Sequence, residues 1–180
     1  FGSMGKLHGK YLDEIGVKWS WFDPYSKDVS IKRVNSIEDV SSFSHVIIAT
    51  PTTFHKKYLE KFINEFEGKV FVEKPGVMSE SDLGLLSNKR VSVGMVERFN
   101  PGFISLKNAM NPKNVLCIDF IRCSALPVSR IEVNSFVDVG IHDLDLLMNM
   151  FPKLEIQETS CFRNQNTIAL NLKFNNNKIA

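Results

Sequence analysis

The chain has too few cysteines for a disulfide frame. Its three, Cys117, Cys123 and Cys161, are odd in number and widely spaced. That pattern excludes a small disulfide-stapled module. It predicts buried free thiols in a reducing compartment, hence a cytoplasmic location. Four scattered histidines with no close pair argue against a metal centre. Charge of one sign is scarce as well. The net charge is +2 over 180 residues, so nothing draws the protein to nucleic acid or to an anionic membrane. No run approaches the apolar length of a membrane span. The start lacks the charged-then-apolar order of a secretory signal. What is present is ordinary globular composition, 43% hydrophobic and 23% charged. It suits one large domain, or one domain and part of another.

Periodicity gives the elements. Helix is expected over Gly5–Ile15, with Met4, Leu7, Tyr11, Leu12 and Ile15 on one side. Val17–Phe22, His45–Ala49, Lys69–Glu73 and Val91–Val96 read as strands. A helix is expected over Thr53–Phe66, with Phe54, Tyr58, Phe62 and Phe66 at four-residue spacing and Gly68 closing it. Ser79-Glu80-Ser81-Asp82 resembles a capping box opening a helix to about Asn88. Strands alternating with helices predict a parallel sheet covered by helices, and the run HVIIA fits a strand buried on both faces. After a boundary near Arg98–Pro101 the pattern changes. Val115–Arg122, Leu154–Phe162 and Thr167–Phe174 read as strands of an antiparallel or mixed sheet, with one strong helix at Val137–Phe151. Asn175–Lys178 is a turn signal. No internal repeat and no low-complexity linker is seen. The fold class is α/β: a dinucleotide-binding domain over 1–98 with its first strand missing, then part of an α+β domain with an open mixed sheet over 99–180.

The opening FGSMGKLH has two readings. A cleaved tag can leave Gly-Ser-Met behind. Alternatively, a glycine before Phe1 would complete G-x-G-x-x-G, with Gly2 letting backbone approach a pyrophosphate and Gly5 letting the helix pack closely. The context favours the second reading. A helix and a strand follow, and the strand ends in Asp23, about twenty residues downstream, where an acid binds the ribose diol. Gly2, Ser3, Met4 and Gly5 are then the expected pyrophosphate contacts. Asp23 repels a 2′-phosphate and favours NAD over NADP; its alternative is a solvated Asp-Pro turn residue.

Two further stretches carry chemistry. In VFVEKP, Lys74 ends a parallel strand, where such folds place ligands; alone, it could equally be a surface lysine. In FVDVGIHDLDLLMNMF, Asp138, His142 and Asp145 fall at i, i+4 and i+7 on one helical face, beside an apolar stripe of Ile141, Leu144, Met148 and Phe151. A histidine beside a carboxylate suits proton transfer near neutral pH. Acids that complement a helix N-terminus are the structural alternative, and Asp143 is read that way. His8 is expected to pack or lie at the surface. His55 follows Thr50-Pro51 and is expected to border a cofactor.

At these residues the sequence resembles the glucose–fructose oxidoreductase, inositol dehydrogenase and MocA family. The stretches FGSMGKLH, VIIATPTTFH, VFVEKP, VGMVERFNP and DVGIHDLD occur in the family's order and span nearly the whole chain. The resemblance implies a Rossmann domain followed by an α+β domain. The open sheet of the latter commonly forms the interface of a homodimer or homotetramer. It implies that Lys74 and Glu73 of E-K-P and the Thr50, Pro51 and His55 loop lie at the cofactor, that Lys74 also meets substrate, and that His142 is the general acid/base with Asp138 as partner. VERFNP and PVSRIEVNSFVDVGIHDLD look most like the sugar-nucleotide 3-dehydrogenases, which oxidise the C3 hydroxyl of UDP-N-acetylglucosamine. Arg98 and Arg130 are then candidates for substrate or diphosphate contacts, with solvated arginines the equal alternative, and Asp145 is a candidate substrate contact. The departures are the absent first glycine and strand, the short stretch between Asp23 and Val34, where a crossover needs ten to twelve residues or more, and a second domain expected to be incomplete. A hydrolase that recycles NAD and a non-catalytic nucleotide sensor are the alternatives. The first would release free sugar without net NAD reduction, and the second has no use for an acid/base set.

Overall fold

Apolar runs of three or four residues build the first sheet of the computed structural model, which describes residues 1–27, 30, 32–122, 139–163 and 168–174. β1 (His45–Ile48), β2 (Lys69–Val72) and β3 (Val91–Val93) lie parallel in that order. His45 pairs with Lys69, and Val70 with Val91. Helix α1 (Ser3–Glu14) precedes them. α2 (His55–Glu65) connects β1 to β2, and α3 (Leu83–Leu86) connects β2 to β3. The chain divides into two units, Phe1–Gly94 and Met95–Ala180. In the second, α4 (Pro101–Ala109) and α5 (Ile141–Met150) accompany an antiparallel pair, β4 (Ile156–Arg163) and β5 (Ile168–Phe174). The mixed α/β class expected from the sequence is the class found.

The first core gathers Ile48, Leu59, Phe62, Phe66, Val70 and Val72. Of the aromatic row expected on α2, Phe62 and Phe66 are buried, Tyr58 packs alongside, and Phe54 is exposed. The buried row is His55, Leu59, Phe62 and Phe66. Steps of four, three and four follow a 3.6-residue turn; a strict step of four drifts off the face. The helix ends at Glu65. Gly68 therefore does not cap it. A Cβ there would meet the Ser44 carbonyl at 2.3 Å, so Gly68 is needed where two chain segments cross.

Several local expectations are corrected. Val17–Phe22 is extended and makes a single parallel bridge, Trp21 to Arg33, because a strand needs a ladder and the described residues supply only that pairing. The short stretch between Asp23 and Val34 is not one of these: little room for a crossover helix is expected there, and its described residues hold no helix. Ile47 is exposed, so β1 is buried on one face rather than two. Met4, Leu7, Tyr11 and Ile15 of α1 are exposed; the buried residue of that helix is Gly9. Ser79 makes no cap bond, and its hydroxyl meets that of Ser81 at 2.8 Å.

The second core gathers Phe103, Leu146, Leu147, Met150, Phe151 and Leu154, with Leu172 and Phe174 of β5 against it. α4 is started by Asn100, whose side-chain oxygen accepts the Gly102 N–H at 2.9 Å, and by Pro101 at its first position. The face that α5 buries is Leu146, Leu147 and Met150; Met148 of the expected stripe is exposed. Val115–Arg122 forms no strand, for it has no ladder partner among the described residues, and Leu116 and Ile121 are exposed. Cys117 and Cys161 are free and exposed rather than buried, the first on that unpaired segment and the second on the open β4. Cys123 and the Asn175–Lys178 turn lie outside the described residues. No helix among the described residues is long and apolar enough to cross a membrane.

Candidate active site

The carboxyl ends of parallel strands are where open α/β sheets hold ligands, and the chemistry-bearing residues of the first unit gather there. β1 ends at Ile48, whose carbonyl accepts the Glu73 N–H at 3.0 Å; Val72 in turn accepts from Gly94 at 2.8 Å. Glu73, 8% exposed, and half-buried Lys74 therefore leave β2 at the ligand-binding end of the sheet. His8 of α1 comes to the same place. Its Nε2 lies 2.7 Å from Glu73 Oε1, and its ring stands edge-on to Phe71. The helix that starts at the glycine turn is thus tied to the lysine loop. Nothing in periodicity pointed to His8; only its place in the motif FGSMGKLH could have flagged it.

The glycine turn fits an anionic ligand. Gly2 caps α1 without a side-chain acceptor, and the first turn holds no acid. Helix N-termini of this kind present free N–H groups and a positive dipole end. A Cβ on Gly2 would meet nothing within 4 Å, so the space above the backbone is open. A close approach is found at Gly5 and also at Gly9. A Cβ on Gly5 would meet the Phe1 ring, whereas one on Gly9 would lie 2.5 Å from the Trp19 indole, so Gly9 is the glycine that lets α1 lie against the next segment. Asp23 reaches back to the turn: its carboxylate lies against Phe1 and accepts from the Tyr25 N–H at 2.8 Å.

After β1, Thr50 Oγ1 is buried with no hydrogen-bond partner among the described residues. Such a hydroxyl fits a polar ligand group. Pro51 is exposed beside it. His55, expected to border a cofactor, is 1% exposed. Its Nδ1 meets the Pro75 carbonyl at 2.9 Å and its Nε2 the Thr50 carbonyl at 3.0 Å. Both ring nitrogens face chain carbonyls rather than open space.

In the second unit His142 lies in the first turn of α5 and is half-buried. Arginines hold both acids that follow it. Arg98 grips Asp145 with Nε, at 2.7 Å, and with Nη2; that bond raises the Arg98 pKa. Arg122 grips Asp143 with Nε and Nη2, both at 2.8 Å, and lies 3.7 Å from Glu97; the Asp143 bond raises its pKa. Asp143 is therefore a partner of Arg122 as well as an acid at a helix N-terminus, a pairing hidden in sequence by the long separation. Arg98 and Asp145, both expected to meet substrate, meet each other. Arg130 and Asp138 lie outside the described residues. Among the described residues no group of three His, Cys, Asp or Glu side chains could hold a metal ion.

Comparison with known proteins adds to this geometry. No family model matches the chain. Inositol 2-dehydrogenase of Rhizobium meliloti (strain 1021) is 26% identical over 129 residues, which is 64% of this chain and 39% of that protein. UDP-N-acetylglucosamine 3-dehydrogenase GnnA of Acidithiobacillus ferrooxidans superposes with a TM-score of 0.79 at 18% identity, covering 98% of this chain and 64% of that one. These matches fit the glucose–fructose oxidoreductase, inositol dehydrogenase and MocA family. The WlbA (WbpB) dehydrogenase of Thermus thermophilus, solved in complex with NAD and UDP-GlcNAcA, superposes at 0.68 with 16% identity over 92% of this chain and 64% of its own. The fold is that of these dehydrogenases of known structure. The chain spans about two fifths of the curated relative's length and 64% of each of the two enzymes of known structure.

Proposed function

We propose that this chain is part of a cytoplasmic, NAD-dependent oxidoreductase that acts on a hydroxyl-bearing carbon of a sugar or sugar nucleotide, with the C3 position of UDP-N-acetylglucosamine as first choice. The observation that carries the reading is the His8–Glu73 contact, which joins the helix of the glycine turn to the loop of Lys74. Residues 1–98 would be the cofactor-binding domain and 99–180 part of the substrate domain. Gly2, Ser3, Met4 and Gly5 would hold a pyrophosphate, Asp23 the adenosine ribose diol, and Thr50, Pro51 and Glu73 the neighbouring part of NAD. Arg98, Arg130 and Asp145 would meet the sugar nucleotide. Copies of the chain would assemble as two or four through the second-domain sheet, whose β4 is exposed along its length.

When bound, the nicotinamide supplies the hydride-transfer chemistry. The chain's own residues manage the proton and the charge. His142 accepts the proton of the reacting hydroxyl at a ring nitrogen. Lys74 Nζ donates a hydrogen bond to the same oxygen and stabilises the negative charge that grows on it. Asp138 orients the His142 ring and stabilises its charged form. His142→Ala and Lys74→Ala should each lose most turnover while NAD binding persists; full turnover in both variants would remove these assignments.

The direct test adds NAD and a panel of sugars and sugar nucleotides to the full-length protein and follows the near-ultraviolet absorbance of reduced nicotinamide. A rise with UDP-N-acetylglucosamine alone supports the reading in full. A rise only with a free sugar or polyol keeps the dehydrogenase and discards the nucleotide-sugar substrate. No rise across the panel, with NAD bound, overturns it.

A further inference from the structure

We propose that His55 and His8 are positioning residues that clamp the Glu73–Gly76 loop and so place Lys74. The inference rests on the oxidoreductase reading, which gives Lys74 its task. His55 bridges the loops that leave β1 and β2, through the Thr50 carbonyl at 3.0 Å and the Pro75 carbonyl at 2.9 Å. Carbonyls only accept, so the ring must donate; it does so through one nitrogen when neutral and through both when protonated. His8 fixes the other neighbour of Lys74, with its Nε2 2.7 Å from Glu73 Oε1. Gly76 closes the arrangement: a Cβ there would come within 2.9 Å of the Leu86 methyls, so the backbone runs tight against α3.

Residues 73, 75 and 76 are therefore each held, and Lys74 stands between them. The physical need is plain. A lysine side chain is long and rich in rotamers, so its ammonium can be aimed only if the backbone beneath it is fixed. A misplacement of about 1 Å at a reacting group can cost about 100-fold in rate. The same two histidines tie the loop to the start of α2 and to α1. On this account the geometry of the glycine turn and of Lys74 is set as one body, and neither imidazole touches the reacting atoms.

The test uses the full-length protein with His55→Leu, His8→Leu and His55→Gln. Amide hydrogen exchange is followed over residues 48–56 and 70–80. His55→Leu should speed exchange in both stretches by about tenfold or more, His8→Leu in the second only, and peptides of α5 should be unchanged. With NAD and UDP-N-acetylglucosamine, kcat should fall by about 10- to 100-fold while the NAD dissociation constant stays within about threefold. His55→Gln, which keeps an amide donor, should recover part of kcat. Unchanged exchange over 70–80 in the folded variants overturns the clamp. So does a large rise in the NAD dissociation constant with kcat intact, which would make His55 a cofactor contact. If His55→Leu does not fold, His8→Leu decides by the same exchange measurement. Exchange needs no turnover, so a wild-type protein that oxidises no sugar would remove the oxidoreductase reading while the clamp is judged separately.

Discussion

Asp23 should make the protein discriminate between cofactors. Its carboxylate lies beside the glycine turn and accepts a hydrogen bond from the Tyr25 N–H. A 2′-phosphate brought to about 4 Å would cost about 1–4 kcal/mol in repulsion. Direct titration should therefore give tighter binding of NADH than of NADPH, and Asp23→Ser should narrow the gap; equal affinities in the wild type would remove this role. Gly9 makes a different kind of claim. A methyl there would sit 2.5 Å from the Trp19 ring, so Gly9→Ala should destabilise the fold by about 1–3 kcal/mol through overpacking, read as a lower thermal midpoint. The sequence singles out Asp23 because the fingerprint fixes its spacing. It does not single out Gly9, because nothing local says that an indole will lie over it.

Helix α5 is where element-scale reasoning succeeded and failed together. The run 137–151 is apolar enough that its helical character was clear, but apolar residues occur on more than one side. The expected stripe of Ile141, Leu144, Met148 and Phe151 and the observed row of Leu146, Leu147, Met150 and Phe151 share only Phe151. Phe103 and β5 select the second. The two arginine forks then set how the first turn of α5 is held. Arg98 and Arg122 remain partly exposed, so each fork should contribute only about 0.5–1 kcal/mol. Asp143→Asn or Asp145→Asn should lower the urea midpoint by that amount, and about 1 M salt, with a screening length of about 3 Å, should erase much of the difference. A loss well above that range, unaffected by salt, would mean that the forks do more than pair charges.

At the scale of the molecule, two hydrophobic clusters stand without shared members, one in each unit. Leu59→Ala removes a fully buried side chain and should cost the first unit about 2–5 kcal/mol. Leu147→Ala should do the same to the second. Hydrogen exchange should show each loss confined to its own unit; a uniform loss would mean that the two cores unfold as one. The sequence by itself determined the alternation of strands and helices and the parallel character of the first sheet, and it marked Gly2, Asp23, Lys74 and His142 as candidates. Those follow from periodicity and short spacings, which are local. Only the tertiary structure decided which helix faces are buried, that Trp21 bridges Arg33, that Arg98 meets Asp145, and that His8 and His55 hold the loop of Lys74. Each of these is a contact between residues far apart in the chain, and its existence depends on what the intervening folded segments bring within hydrogen-bonding or packing distance.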